Sequence, residues 1–111
     1  MIILTMKMNV HPEKRDELLQ TMLALIQPTR KEKGCLSYNV FLSIEDENDI
    51  NLVEEWESRE DLDNHLRSDR FGALLGAQSL LNQPLEIRII ATSYTAGMEV
   101  VDEARGKQWF G

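Results

Sequence analysis

Apolar residues follow two different rhythms along this chain. Ile2, Ile3, Leu4, Met6, Met8 and Val10 interleave with Thr5, Lys7 and Asn9, and this period of two after an apolar start predicts a first strand. Pro12 stands where a helix can begin without losing a hydrogen bond, and Leu18, Leu19, Met22, Leu25 and Ile26 then recur at helical spacing. Pro28 is expected to kink or restart that helix. The run Arg30-Lys31-Glu32-Lys33 reads as its solvated last turn, and Gly34 as its stop. Alternation returns from Cys35 to Ile44, with Leu36, Tyr38, Val40 and Leu42 on one face and Ser37, Asn39 and Phe41 on the other. Residues 45–49 form an acidic connector of hairpin length before Ile50–Trp56 resume strand character, so strands two and three are expected to pair antiparallel.

Ser58 followed three residues later by Asp61 is a helix start, because the hydroxyl and the acid satisfy free amides there. A second cap, Ser68-Asp69, precedes Phe71, Leu74 and Leu75 and predicts a helical region broken into two pieces. After Pro84, Leu85, Ile87, Ile89 and Ala91 alternate with Glu86, Arg88, Ile90 and Thr92 in a fourth strand. The order strand, helix, strand, strand, helix, strand is the split βαβ arrangement of an α+β, ferredoxin-like antiparallel sheet. Two helices cover only one face of such a sheet. Because alternate strand positions on both faces look apolar, a two-fold homodimer packed sheet against sheet is expected. One domain is expected over residues 1–95. Residues 96–111 form a C-terminal extension whose Met98, Val100, Val101, Trp109 and Phe110 should pack on the domain or on a partner subunit.

Composition narrows the function classes. Nineteen Asp and Glu against twelve Lys and Arg leave a net charge of −7, which disfavours nucleic acid and anionic lipid as partners. One cysteine, Cys35, forbids an internal disulfide and reads as a small buried hydrophobe. No apolar run approaches the roughly 20 residues that span a bilayer, and no secretory signal opens the chain, so a cytoplasmic protein without a membrane partner is expected. Zinc-ligand spacing, a glycine-rich phosphate loop, a dinucleotide fingerprint and a nucleophile elbow are all missing, so neither a metal nor a cofactor is expected.

Glu32-Lys33-Gly34-Cys35-Leu36-Ser37-Tyr38, then Leu52-Val53-Glu54-Glu55-Trp56-Glu57-Ser58, then His65 resemble the pattern of the antibiotic biosynthesis monooxygenase family over about residues 1–92. The resemblance implies a dimeric α+β barrel with a pocket between sheet and helices in each subunit. Such families include cofactor-independent oxygenases of quinols and anthrones, isomerases of small signalling sugars, haem degraders and proteins of no known activity. Haem cleavage there depends on a second-helix histidine ten residues beyond His65, where this chain has Leu75, so that chemistry is not implied.

His65 is the first candidate for chemistry. It lies on the apolar stripe of the second helix beside Leu62 and Leu66, and an imidazole with an ordinary pKa near 6.5 suits proton transfer at neutral pH. A hydrogen-bonded core histidine is the alternative. His11, in the turn before Pro12, reads as a capping residue. Trp56 is either core or, as the resemblance implies, a pocket wall that stacks on a planar substrate. Tyr38, Asn9 and Arg88 could orient a phenolic or carbonyl oxygen, and Glu54 either points inward or faces water. These residues lead to a cofactor-independent monooxygenase of an electron-rich aromatic such as a quinol or anthrone, with molecular oxygen as co-substrate. Trp56, Leu62, Phe71 and Ile89 would build its pocket, His65 would accept or share the substrate proton, and Tyr38, Asn9 or Arg88 would hold the oxyanion. Alternatives are an isomerase of a small polyhydroxylated metabolite, with His65 as proton shuttle, and a dimeric binding module without catalysis.

Overall fold

The computed structural model describes residues 1–106. Four strands, β1 (Ile2–Asn9), β2 (Cys35–Leu42), β3 (Asp49–Trp56) and β4 (Glu86–Ala91), form one sheet in the order β2-β3-β1-β4, with every neighbouring pair antiparallel. Helices α1 (Arg15–Arg30), α2 (Arg59–Leu66) and α3 (Asp69–Gly76) provide the second layer, α1 packing over β2 and α2 over β3. This is the ferredoxin-like arrangement that the element order predicts.

Register fixes which side chains share the helix-covered face, because residues directly opposite one another in antiparallel strands point the same way. Ile89, Leu4, Glu54 and Tyr38 form one row across β4, β1, β3 and β2. Ala91, Ile2, Trp56 and Cys35 form the row on one side of it, and Ile87, Met6, Leu52 and Val40 the row on the other. From above, Leu18 and Met22 of α1, Leu62 of α2 and Phe71 and Leu74 of α3 close on these rows to make the core.

The second face of the sheet carries Ser37, Asn39 and Phe41, then Asn51, Val53 and Glu55, then Ile3, Thr5 and Lys7, then Glu86, Arg88 and Ile90. It is mixed rather than apolar, contrary to the pattern expected from the alternation. On the helix side, β4 is an edge strand that the helices do not reach, so Ile87 and Ile89 stay 43% and 45% exposed.

Local chemistry explains most boundaries. Ser58 and Ser68 accept the amides of Asp61 and Phe71 at the starts of α2 and α3, the two caps foreseen from the sequence. Gly34 stops the turn after α1 with φ +82°, a left-handed conformation that favours glycine. Three details depart from the sequence pattern. Pro28 does not restart α1, which runs unbroken from Arg15 to Arg30. A register shift between Cys35 and Ser37 takes Leu36 out of the alternation, and Leu36 is exposed. His11 precedes a 3₁₀ turn, Pro12–Lys14, but its ring makes no capping bond; its backbone carbonyl accepts from Lys14 instead. Beyond β4, α4 (Met98–Ala104) leaves Met98, Val100 and Val101 exposed on their own subunit. Trp109 and Phe110, expected to pack with it, lie outside the described residues.

Candidate functional site

His65 sits at the meeting point of β3, α2, α3 and the turn between α1 and β2. Its side chain is 2% exposed. The ring stacks on Trp56 with centroids 4.6 Å apart and 27° between planes, and meets the edge of Phe71 at 5.4 Å. Nδ1 lies 2.9 Å from Glu32 Oε2. A carboxylate offers only acceptors, so the nitrogen carries the hydrogen and donates it. Nε2 lies 3.2 Å from Glu54 Oε1, an ion-pair distance, although the two atoms are not aligned as a hydrogen bond. The indole N–H of Trp56 donates to the same Glu54 Oε1 at 2.9 Å.

Glu54 itself is fully buried, and its Oε2 has no hydrogen-bond partner, as His65 Nε2 has none. Two adjacent residues of one buried cluster therefore each hold a polar atom unsatisfied. Such an atom typically costs about 1–3 kcal/mol, and native folds seldom tolerate many of them.

Burial is the largest influence on the imidazole and works against its charged form. The carboxylates of Glu54 and Glu32 together outweigh it and raise the His65 pKa above the ordinary value. Burial first, then the charge of Glu54, pushes the Tyr38 phenol well above its usual range, so it remains a donor at neutral pH. Burial first, then Glu54 and Glu32, likewise raises the Cys35 thiol, which keeps it un-ionised and a poor nucleophile.

The structure brings together most of the residues singled out in the sequence. Trp56, Tyr38, Leu62 and Phe71 share the helix-covered face with His65, and Ile89 lies on that face at the open edge. Asn9 and Arg88 do not join them. The pleat turns both onto the opposite face, where Asn9 donates to Asp49 Oδ1 at 2.6 Å and Arg88 is exposed on β4. Of the three residues named as alternatives for the oxyanion, Tyr38 alone is therefore on the face that carries Glu54 and Trp56 within one subunit. Glu32 was missed. It belongs to a run of charges that reads as solvated, yet its side chain is 12% exposed and turned inward onto His65. Among the described residues, no three His, Cys, Asp or Glu groups are placed to hold a metal ion.

Residues 1–76 match the model of the family described as antibiotic biosynthesis monooxygenase. The chain belongs to this family. YcnE of Bacillus subtilis, which carries a provisional monooxygenase name, is 32% identical over 88 residues, covering 78% of this chain and 93% of that protein. The uncharacterized Synechocystis protein sll1783 is 30% identical over 95 residues, 85% of this chain, which spans 65% of the Synechocystis protein's length. A conserved protein from Methanosarcina mazei Go1 superposes with a TM-score of 0.78 at 34% identity, covering 83% of this chain and 92% of that one. Trp56, at the end of the third strand, and His65, on the helix that follows, both lie within the matched region.

Proposed function

We propose that this protein is a cofactor-independent monooxygenase of an electron-rich aromatic such as a quinol or anthrone, with His65 accepting or sharing the substrate proton. Family membership supports the reaction class. The observation that supports the site is the pair of unsatisfied buried atoms, His65 Nε2 and Glu54 Oε2. A phenolic hydroxyl donates to Nε2 when the ring is neutral; when the ring is protonated, the phenolic oxygen accepts from Nε2 and its hydrogen goes to Glu54 Oε2. Once the hydroxyl proton passes to the cluster, the aryloxide gives one electron to dioxygen. The resulting radical pair joins through a new C–O bond as a peroxide anion, which takes back the proton held by the cluster to become a hydroperoxide; loss of water, with the hydrogen of that carbon, then leaves one oxygen atom in the product as a carbonyl.

The walls suit such a substrate. Trp56 and Phe71 pack on the imidazole, Leu62 belongs to the same apolar core, and Ile89, in the same transverse row as Glu54, lies exposed on the β4 edge. Tyr38 flanks Glu54 on the other side and would donate to the developing oxyanion. The subunit would act in the cytoplasm as a homodimer. Ile3, Phe41, Val53 and Ile90 supply the apolar part of the sheet contact, and α4 would pack on the partner. Among the described residues no helix is long and apolar enough to cross a membrane.

One observation favours a second reading. His65 is almost wholly buried, as a histidine fixing helix to sheet in a non-catalytic binding module would be. Aerobic and anaerobic turnover of a panel of quinols, anthrones and small sugars, with oxygen uptake recorded, decides between them. Oxygen consumption matched to product from an aromatic supports the proposal. Conversion of a sugar without oxygen would make the protein an isomerase, and binding without turnover across the panel would leave a binding module.

A further inference from the structure

Glu32 Oε2 is shared. It lies 2.9 Å from His65 Nδ1 on one side and 3.1 Å from Arg70 Nε on the other, so one oxygen links a buried ring to a guanidinium that is 40% exposed on α3. In order from the surface inward the groups are Arg70, Glu32, His65 and Glu54, and their charges alternate when the imidazole is protonated. We infer that Glu32, held in place by Arg70, is a positioning residue that sets the orientation and proton state of His65. The inference rests on reading the His65 cluster as the reactive site, and it names the groups that control it.

The physical argument is one of geometry and sign. By taking the Nδ1 hydrogen, Glu32 fixes the ring against rotation and leaves Nε2 as the nitrogen that faces Glu54 and anything bound beside it. A carboxylate at Nδ1 also stabilises the imidazolium as a proton arrives at Nε2. Arg70 acts in the opposite direction: its charge draws on the same oxygen and weakens what Glu32 offers the ring. The groups facing the imidazole are few. Glu32 comes from the turn after α1, Glu54 and the uncharged Trp56 come from β3, and Phe71 comes from α3. Tyr38 and Cys35, on β2 beside Glu54 and Trp56, stay protonated near neutrality. The upward displacement of the His65 pKa agrees with two carboxylates outweighing burial.

The test is a pH titration of the histidine ring resonances by NMR in the full-length protein and in E32Q and R70Q. The chain has two histidines, so His11 serves as the internal reference. E32Q should lower the His65 pKa, and R70Q should raise it, while His11 does not move. A structural role alone would change stability in both variants without shifting the titration in opposite directions. With a turned-over substrate, E32Q should lose at least about tenfold in kcat/KM near neutral pH, as when a group orienting a reactive histidine is removed. R70Q, at a half-exposed position, keeps the test available if E32Q does not fold. Titrations that coincide with wild type, or that move the same way in both variants, overturn the inference. If they move as expected while His65→Ala consumes oxygen at the wild-type rate, the positioning role stands and the proposed function falls.

Discussion

Gly34→Ala should be the most damaging single-methyl change in the described chain, and it should damage the fold and the site together. Gly34 has φ +82°, and a Cβ built there would lie 2.2 Å from Asp61 Oδ2, 2.3 Å from its Cγ and 2.5 Å from its Cβ. Two penalties add. The left-handed backbone costs a residue with a Cβ about 1–2 kcal/mol. Asp61 is buried and receives the Ser58 hydroxyl at 2.9 Å, while its amide donates back to Ser58 Oγ at 3.1 Å, so moving it away disturbs the α2 cap, worth about 1 kcal/mol. The smaller unfolded-state entropy of alanine offsets about 0.4–1 kcal/mol. The net loss is about 1–2.6 kcal/mol, a large share of the 5–15 kcal/mol typical of a domain. Urea unfolding should show it as a lower midpoint at unchanged slope. Because Glu32 precedes Gly34 by two residues and Asp61 precedes His65 by four, the Nδ1 resonance of His65 should move as well. Gly72→Ala is the matched control: a Cβ there meets nothing within 4 Å, and the position lies inside α3, so alanine should stabilise by about 0.5–1 kcal/mol. A Gly34→Ala protein within about 0.5 kcal/mol of wild type, a surface-sized effect, would refute the reasoning.

Other consequences can be checked with the same samples. The folded pKa of His65 lies above the ordinary value of about 6.5, so its contribution to stability is complete below that pH and disappears as pH rises through the raised value. The stability gap between wild type and His65→Gln should therefore narrow from pH 5 to pH 9, and a constant or widening gap contradicts the ion-pair account. Ending the chain at Ala96 removes Met98, Val100 and Val101, all exposed on their own subunit. If α4 packs on a partner as proposed, sedimentation at micromolar concentration should shift from twice 12.8 kDa toward the monomer, whereas an unchanged dimer with an unchanged melt would show this tail to be passive.

Much of the fold could be read from local chemistry, since the strands, both serine caps and the Gly34 stop each depend on neighbours within a few positions. Pro28 misled because its missing bond and ring clash fall on one carbonyl within α1, a local cost that the rest of the helix and its packing outweigh. The site was partly legible. Glu54 alternates in phase with Ile50, Leu52 and Trp56, which placed it on the inner face had the period been followed strictly. The same phase separates Asn9 from Met6 and Met8, and Arg88 from Ile87 and Ile89, and puts both on the face away from the residues that were expected to build the pocket. Glu32 offered no such signal. Its burial comes from α2 and α3, more than thirty residues downstream, and a carboxylate between lysines looks the same whether or not a histidine later folds over it.

His65→Gln, assayed for oxygen uptake on an aromatic substrate that the wild-type protein turns over, tests the central claim most directly. Glutamine keeps a hydrogen-bonding group between Glu32 and Glu54 but does not titrate near neutrality, so the folded protein should survive the change. The account predicts turnover reduced by roughly 10²–10⁴-fold, the range for a lost general base, in a protein that still unfolds cooperatively. Oxygen uptake at the wild-type rate in His65→Gln would contradict it and leave His65 a packing residue.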